Sequence, residues 1–203
     1  MDESKNSIDA GFPEYLKNPK DRSELGGQSL VRAIGKNVKT VVDATAGLGR
    51  DSYTLAVYGY DVTSYERCAD VAEMLKAGLT EALDNPSTAQ FVSGHLKFIS
   101  GDSIQELDGI DNRPDAIYLD PMYPPKRRKS ALAKKEIQFL RQLVGDDTDS
   151  YTLFKTAMEI AKDRVVVKRP HYAEPVLDKP SMSYQGKLVR FDVYLTSLGS
   201  WDL

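Results

Sequence analysis

Four acidic residues have the spacing of a ligand-binding site. Each lies at or just after the end of a short apolar or β-branched run that is typical of a buried strand: Asp43, Glu66, Asp102 and Asp120. Carboxylates can accept hydrogen bonds from a ribose diol or an amine, and they can stabilise a positive charge. Because ligands bind outside the carboxyl ends of the strands in an open α/β sheet, we expect these acids to meet at one edge.

A turn with two glycines follows the first acid, in Asp43-Ala44-Thr45-Ala46-Gly47-Leu48-Gly49. Gly47 and Gly49 let the backbone pass close to a bound molecule, and amides at the start of the next helix point into the same space. The turn is not the Gly-x-Gly-x-x-Gly motif of dehydrogenases, because position 52 is Ser52, and no Gly-Lys-Ser/Thr of a P-loop follows. The turn alone does not identify the ligand.

Two of the acids allow two interpretations. Glu66 lies 17 residues after Gly49, where an acidic side chain can accept both hydrogen bonds of a ribose diol, but it could instead pair with Arg67 or cap the next helix. Asp102, next to Ser103, could receive an adenine amino group or cap a short helix.

The stretch Asp120-Pro121-Met122-Tyr123-Pro124-Pro125 also has two interpretations. It could be a surface loop stiffened by prolines, or an active-site loop that holds an acid, a backbone carbonyl and an aromatic ring in fixed relation. Because the apolar run 116–119 delivers this stretch to the ligand-binding edge, we favour the active-site loop.

Hydrophobic patterns predict the elements that position these residues. Strands are expected at residues 39–43, 61–66, 96–99, 116–119 and 164–168. Residues 181–184 and 188–196 flank Gln185-Gly186-Lys187, which predicts an antiparallel hairpin. Helices are expected at residues 23–34, 50–58, 133–144 and 151–162, and after residue 66 with Val71, Met74, Leu75, Leu79 and Leu83 on the apolar face. The order predicts an α/β fold with a mostly parallel, seven-stranded sheet and helices on both faces.

Length and composition favour one domain. With 203 residues and 41% hydrophobic content, we expect a loosely ordered lead-in at residues 1–22 and a single domain at residues 23–203. One cysteine, Cys68, excludes internal disulfides, and His95 and His171 lie too far apart to suggest a metal site. No run approaches 18 apolar residues and the first residues resemble no signal peptide, so we expect a cytoplasmic protein without a membrane partner.

Basic residues cluster directly after the Asp120 stretch. Seven of them lie within 16 residues, against only Glu136: Lys126, Arg127, Arg128, Lys129, Lys134, Lys135 and Arg141. Lys168 and Arg169 end the fifth predicted strand. The net charge of −3 gives no general attraction to nucleic acid, and a charge run is often only a solvated face. Because this run adjoins the active-site loop, we predict that the run, together with Lys168 and Arg169, contacts nucleic-acid phosphates.

The motifs together resemble a known enzyme family. The stretches Asp-Ala-Thr-Ala-Gly-Leu-Gly-Arg-Asp, Glu66-Arg67, Asp102-Ser103 and Asp-Pro-Met-Tyr-Pro look like the motifs of class I S-adenosylmethionine-dependent methyltransferases. With Lys-Ser-Ala-Leu-Ala-Lys-Lys-Glu, Arg-Val-Val-Val-Lys-Arg-Pro and Arg-Phe-Asp-Val-Tyr, the chain more narrowly resembles the RsmJ type, bacterial small-subunit ribosomal RNA guanine-N2 methyltransferases.

The resemblance implies a Rossmann-like fold, S-adenosyl-L-methionine as cofactor, no metal, and small-subunit ribosomal RNA or the subunit particle as substrate. It implies cofactor contacts from Arg50, Asp51, Glu66, Arg67, Asp102, Ser103 and Asp120. Asp120 and the Pro121 carbonyl would accept the two amine hydrogens of guanine, and Tyr123 would stack on the base.

Other functions remain open on the residues alone. Related loops also serve enzymes that methylate adenine N6 in DNA or a glutamine in a protein. A non-catalytic RNA-binding module on the same fold is a third possibility, although the intact Asp120 and Tyr123 argue against it. Guanine is favoured over adenine by resemblance alone.

Overall fold

The computed structural model describes residues 25–122, 149–177 and 179–198. Its helices are α1 (Ser29–Ile34), α2 (Arg50–Tyr58), α3 (Ala69–Asp84), α4 (Pro86–Val92), α5 (Ser103–Asp108) and α6 (Ser150–Ile160), with a 3-10 turn at Thr196–Leu198. Its strands are β1 (Thr40–Asp43), β2 (Asp61–Glu66), β3 (Leu96–Ser100), β4 (Ala116–Leu119), β5 (Arg164–Pro170), β6 (Met182–Gln185) and β7 (Val189–Leu195).

The strands form one seven-stranded sheet in the order β3-β2-β1-β4-β5-β7-β6. The first five strands pair in parallel, and β7 pairs antiparallel with both β5 and β6. The predicted mostly parallel sheet with an antiparallel end hairpin is therefore confirmed. The chain leaves β1 toward β2 on one side and returns to β4 on the other, which creates the crevice where α/β sheets bind ligands.

Helices cover both faces of the sheet, so the central strands are buried on both sides. One core cluster includes Ile34 of α1 and Leu55 of α2, and the other includes Phe154 of α6 and Leu107 of α5. All four residues of β4 are buried, as the unbroken apolar sequence at 116–119 predicts. The rigid centre of the sheet thus carries the two strand ends that bear Asp43 and Asp120.

Two predictions about helices are wrong. The predicted helix at 23–34 is interrupted, because a turn occupies residues 26–28 and α1 begins only at Ser29. Two consecutive glycines, Gly26 and Gly27, disfavour a continuous helix by roughly 1 kcal/mol each. On α3, Leu83 is 46% exposed and does not belong to the buried face.

Helix α4 was missed, although the sequence carries its start signal. The Asn85 side chain accepts a hydrogen bond from the Ser87 amide at 3.0 Å, and Pro86 occupies the first turn. Asparagine followed by proline is a favoured helix start. The helix is only seven residues long, so its apolar spacing is too short to reveal it.

An arginine on β7 fixes the connection that follows β5. The Arg190 guanidinium donates to the buried Asp192 carboxylate and to the carbonyls of Pro170, His171 and Ala173. Each of the three guanidinium nitrogens has a partner, so Arg190 holds the backbone that follows β5 in position. Pro170, the last residue of β5, lines the cleft described below.

Several predictions fall outside the described residues. They concern the lead-in at 1–22, the helix at 133–144, Tyr123, and the basic residues Lys126, Arg127, Arg128 and Lys129. Within the described ranges, no helix has the length and apolar character needed to cross a membrane.

Candidate active site

A cleft of about 540 Å³ opens at the carboxyl ends of the parallel strands. Its volume and largely apolar wall are those of a small-molecule site. Nearly all of the predicted ligand-binding residues in the described ranges line it: Asp43, Gly47, Arg50, Asp51, Glu66, Arg67, Asp102, Ser103, Asp120, Pro121, Lys168 and Arg169. Gly49 does not line the cleft; it precedes α2 with a φ of 74°, a left-handed conformation that favours glycine.

Asp43 ends β1 and forms the floor of the cleft. Only 1% of the residue is exposed. Its Oδ2 accepts a hydrogen bond from the Ser52 hydroxyl at 2.5 Å, and its Oδ1 accepts one from the Thr45 amide at 3.1 Å. Burial raises the pKa of Asp43 to about 7, although these two hydrogen bonds oppose the shift. Asp43 therefore holds the glycine turn against the start of α2.

Glu66 ends β2 and is 7% exposed. Its Oε2 accepts a hydrogen bond from the Gly47 amide at 2.9 Å, and its Oε1 accepts one from the Cys68 amide at 2.8 Å. Cys68 is the N-cap residue of α3, so Glu66 holds the residue that precedes the helix, although it does not cap a first-turn amide, and it also ties down the glycine turn. Each carboxylate oxygen has two lone pairs, so both oxygens can still accept a ligand hydroxyl.

Arg67 does not pair with Glu66 in the described contacts. Its guanidinium lies 2.5 Å from the carboxylate of Asp149, at the start of α6. Both side chains are 38% exposed and both residues line the cleft. The pair therefore joins the β2 side of the cleft to its α6 side.

Asp102 and Ser103 form the wall at the end of β3. The Asp102 carboxylate accepts a hydrogen bond from the Ile104 amide at 3.0 Å, so it caps α5 as one interpretation predicts. The second interpretation, contact with an adenine amine, requires a further lone pair of the same carboxylate and stays a prediction.

Two carboxylates and one ammonium meet at the centre of the cleft. Lys168 Nζ lies 2.8 Å from Oδ2 of Asp51 and 2.9 Å from Oδ2 of Asp120. The Tyr118 hydroxyl donates to the same Asp51 oxygen at 2.6 Å. We define these four residues, from α2, β4, β5 and the loop after β4, as the central cluster.

Opposing effects act on the pKa of Lys168. Burial alone would lower this pKa, but attraction to Asp120 and Asp51 outweighs burial, so the pKa lies above that of an ordinary lysine. Burial raises the pKa of Tyr118 well above its usual value, and the neighbouring aspartates add to this effect. Near neutral pH, Lys168 is therefore charged and Tyr118 is a hydrogen-bond donor.

A threonine in the glycine turn positions the loop that carries Asp120. The Asp120 amide donates to the Thr45 hydroxyl oxygen at 2.6 Å. Strands β1 and β4 are neighbours, so this bond joins the two turns that leave them. Pro121, next in the loop, is buried and lines the cleft.

Sequence reasoning missed several residues of this site. The apolar pattern of residues 116–119 gives Tyr118 no role of its own, and no motif assigns a role to Thr45 or Asp149. The available signal was position: Thr45 is in the glycine turn, and Tyr118 is two residues before Asp120 and so points to the same side of its strand. No group of three potential metal ligands occurs within the described ranges.

Comparison with known proteins identifies the family. The model of a family described as "Putative SAM-dependent methyltransferase" matches residues 2–196. The ribosomal RNA small subunit methyltransferase J of Aeromonas salmonicida is 46% identical over 173 residues, which are 83% of this chain and 69% of that protein. The chain belongs to the SAM-dependent methyltransferases of the RsmJ type. The family resemblance of the sequence motifs is thereby confirmed.

Other relatives agree with this assignment. The ribosomal RNA small subunit methyltransferase J of Neisseria meningitidis serogroup C is 44% identical over 86% of this methyltransferase and 71% of that protein. A crystal structure of a SAM-dependent methyltransferase from Neisseria gonorrhoeae superposes with a TM-score of 0.66 at 35% identity, covering 87% of this chain and 68% of that chain. An RNA methyltransferase from Salinibacter ruber, solved with S-adenosyl-L-homocysteine, shares the fold at 12% identity with a TM-score of 0.51, covering 94% of this chain and 96% of that chain.

The cleft of this methyltransferase fits S-adenosylmethionine. A ribose diol needs a buried acceptor and the methionine ammonium needs an anion. Glu66 is a buried carboxylate and Asp51 is a carboxylate that lines the cleft, so the residues present have the chemistry that this cofactor needs. Gly47 has a φ of 53°, and a Cβ placed there would meet no atom of the described residues within 4 Å. Glycine therefore adopts this backbone conformation without strain, and because it has no side chain it leaves open space in the cleft for a ligand.

Replacing Gly47 with alanine separates these two roles. We expect Gly47→Ala to lower the free energy of unfolding by roughly 1 kcal/mol, because an L side chain is strained at this φ. We also expect the affinity for S-adenosylhomocysteine to fall about fivefold, as a contact worth about 1 kcal/mol would give. Urea denaturation and calorimetry measure the two effects.

Gly94 provides a matched control for this experiment. It has a φ of 82° and equally open space for a Cβ, but it precedes β3 away from the cleft. Gly94→Ala should lose similar stability with unchanged ligand affinity. Equal affinities in the two variants would show that the glycine turn does not contact the ligand.

Proposed function

We propose that this methyltransferase transfers a methyl group from S-adenosyl-L-methionine to the exocyclic N2 amine of a guanine in small-subunit ribosomal RNA. The observation that carries the proposal is Asp120: an oriented carboxylate in the cleft, in a chain of the RsmJ type. The curated relatives at 44–46% identity are named for small-subunit ribosomal RNA, which supports the substrate class. Guanine N2 as the target follows from the family resemblance.

The residues of the cleft divide between the parts of the cofactor. Glu66 accepts the ribose hydroxyls, Asp102 and Ser103 lie at the adenine side, and Arg50 and Asp51 lie at the methionine side. When bound, the cofactor supplies a methyl group that is already activated by its sulfonium sulfur. The protein therefore has to orient the target amine more than to activate the methyl group.

Asp120 and Pro121 perform this orientation. The guanine amine is a poor nucleophile because its lone pair is delocalised into the ring. Asp120 and the Pro121 carbonyl accept the two amine hydrogens, which directs the nitrogen lone pair into the cleft. The negative charge of Asp120 also stabilises the positive charge that grows on the nitrogen. Because Lys168 and Thr45 already hold Asp120, little reorganisation is needed.

The target guanine must leave its stack to reach Asp120. Tyr123 follows Asp120 by three residues and is proposed to stack on the extruded base, which offsets part of the energy of unstacking. The basic residues Lys126, Arg127, Arg128 and Lys129 are proposed to bind the flanking phosphates.

Nucleoside analysis tests the proposed function. Small-subunit ribosomal RNA from a strain lacking the gene should lose one N2-methylguanosine by mass spectrometry, and the wild-type gene should restore it. A gene encoding Asp120→Asn should fail to restore it. If the strain lacked a methylated adenine instead, adenine N6 would replace guanine N2 as the proposed target. If its RNA were unchanged and a protein lacked a methylated glutamine, the proposed substrate would be that glutamine.

The dependence of RNA affinity on salt concentration distinguishes the proposed phosphate contacts from the proposed base stacking. In an Arg127→Ala, Arg128→Ala double variant, we expect the slope of log affinity against log salt to fall by about 0.7–0.9 for each lost phosphate contact. Tyr123→Ala should lower turnover with little change in that slope, because stacking of roughly 1–3 kcal/mol is hardly screened by salt. RNA binding and methylation across a salt series measure both.

One outcome would remove the basic run from the RNA interface. If the double variant kept the salt dependence and the methylation rate of the wild type, Arg127 and Arg128 would simply face solvent. Methylation of a protein would then become the stronger hypothesis.

A further inference from the structure

One lysine links the two halves of the site. Lys168, near the end of β5, contacts Asp51 on the cofactor side and Asp120 on the substrate side. The sequence predicted Lys168 as an RNA phosphate contact, together with Arg169. In the structure only 24% of the Lys168 side chain is exposed, and its ammonium is already bound to two carboxylates. Two of the three donor hydrogens of the ammonium are thus used, and the two carboxylates beside it would repel a phosphate.

We propose that Lys168 is a positioning residue that acts through Asp120. Its ammonium holds the Asp120 carboxylate in the orientation that accepts the target amine, and it joins that carboxylate to Asp51. The inference rests on the proposed function, because it assigns a role within the same reaction.

The contacts of the central cluster fix Asp120 from two directions. Thr45 in the β1 turn holds the Asp120 backbone through its amide, and Lys168 of β5 holds the carboxylate. Lys168 is itself fixed because Asp51 also accepts the Tyr118 hydroxyl hydrogen bond. Contacts thus run from Tyr118 through Asp51 and Lys168 to Asp120, and each side chain restricts the orientation of the next. A carboxylate held in this way is preorganised for the charge that develops on the amine.

Charge balance gives Lys168 a second effect. Asp51 of α2 and Asp120 of the loop after β4 face its ammonium, and the Tyr118 hydroxyl of β4 binds the same Asp51 oxygen. Asp43 of β1 is close enough to interact with both aspartates. On the other side of β5, Phe191 of β7 is the register partner of Lys168. Without Lys168, Asp43, Asp51 and Asp120 would remain in the cleft without this ammonium, and the other cations of the cleft lining are Arg50, Arg67 and Arg169.

This arrangement predicts a pH-dependent loss of stability in Lys168→Met. The carboxyl groups left in the cleft would have raised folded-state pKa values, so the folded state would bind more protons than the unfolded state between about pH 4 and those values. Stability contributed by such groups is present at low pH and decreases as the pH rises. The difference in Tm between wild type and Lys168→Met should therefore grow between about pH 5 and about pH 8. A cavity or packing defect would give a difference that does not vary with pH.

Kinetics test the positioning role directly. At saturating S-adenosylmethionine, with small-subunit ribosomal RNA as substrate, we expect Lys168→Met to lower kcat about tenfold and to leave KM for RNA within about twofold. Lys168→Arg keeps the charge and should recover most of kcat. Lys97→Met, a change of an exposed strand lysine that makes no ion pair with the described residues, should behave as wild type.

A double variant separates positioning from an independent contact. If Lys168 acts through Asp120, then Lys168→Met combined with Asp120→Asn should be no slower than Asp120→Asn alone. If the decreases in kcat of the two single variants multiplied in the double variant, the inference would be overturned. It would also be overturned, in favour of a phosphate contact, if Lys168→Met raised KM for RNA and reduced the slope of log affinity against log salt. An unchanged kcat in Lys168→Met would overturn it as well.

The experiment also separates this inference from the proposed function. If the wild-type protein methylated no ribosomal RNA, the proposed function would fail, whereas the pH-dependent difference in Tm would still support the link between Lys168 and the carboxylates. A pH-independent difference would overturn that link, whatever the substrate.

Discussion

Asp120→Asn should lose methyl transfer on the order of 100-fold while it retains the fold and most of the cofactor affinity. A neutral amide can still accept one hydrogen bond, but it cannot stabilise the positive charge that grows on the target nitrogen. A decrease in rate of this size is typical when one preorganised electrostatic partner is removed from an active site. Single-turnover methylation of small-subunit ribosomal RNA measures the chemical step, and calorimetry with S-adenosylhomocysteine measures the cofactor affinity.

Asp108→Asn is the matched control for this variant. Asp108 is exposed at the end of α5, away from the central cluster, and its replacement should leave the rate unchanged. Near-normal methyl transfer by Asp120→Asn would end the assignment of Asp120 as the amine acceptor. The amine would then have to be oriented by backbone carbonyls alone.

Glu66→Ala should weaken S-adenosylhomocysteine binding by at least about tenfold. Two hydrogen bonds from the ribose to a carboxylate would be lost, each worth roughly 1.5–3 kcal/mol. The structure adds a second reason, because the same carboxylate holds the Gly47 amide at 2.9 Å and the Cys68 amide at 2.8 Å. Calorimetry gives the affinity, and the free energy of unfolding shows how much of the loss comes from the released turn.

Two further variants accompany Glu66→Ala: a control on the surface of α3 and a conservative replacement of the same residue. Glu73→Ala removes an exposed glutamate of α3 and should change neither affinity nor stability. Glu66→Gln keeps one carbonyl oxygen but directs an amide group toward a backbone donor, so it should resemble Glu66→Ala in affinity. If a folded Glu66→Ala protein bound the cofactor normally, Glu66 would only be a brace for the turn.

The sheet was predictable because its strands are apolar and their ends are marked. The run at 116–119 and the run at 61–66 match β4 and β2 residue for residue, and α2 matches the predicted helix at 50–58. Strand ends then placed Asp43 and Asp120 at the same edge without any knowledge of side-chain contacts. The order of the elements along the chain and the spacing of hydrophobic residues were sufficient to predict this part of the site.

The partners of the charged residues were not predictable from spacing. Arg67 pairs with Asp149, which is 82 positions away, and Lys168 pairs with Asp51, which is 117 positions away. Which of several nearby acids an arginine or lysine selects depends on rotamers and on burial after the helices have packed. The sequence therefore identified charged groups at the right edge but assigned Lys168 to RNA, without foreseeing its ion pairs within the cleft.

The strand order has a consequence for the time at which the site forms during folding. The bonds that hold the central cluster join residues 48, 67 and 117 positions apart, and the two that involve Lys168 close only after β5 has docked beside β4. Contacts between distant positions form slowly, because a long loop of chain must first lose its entropy. On a growing polypeptide, the glycine turn and Asp51 are synthesised long before Lys168. The central cluster is consequently completed late in the biogenesis of this enzyme, only when β5 is in place.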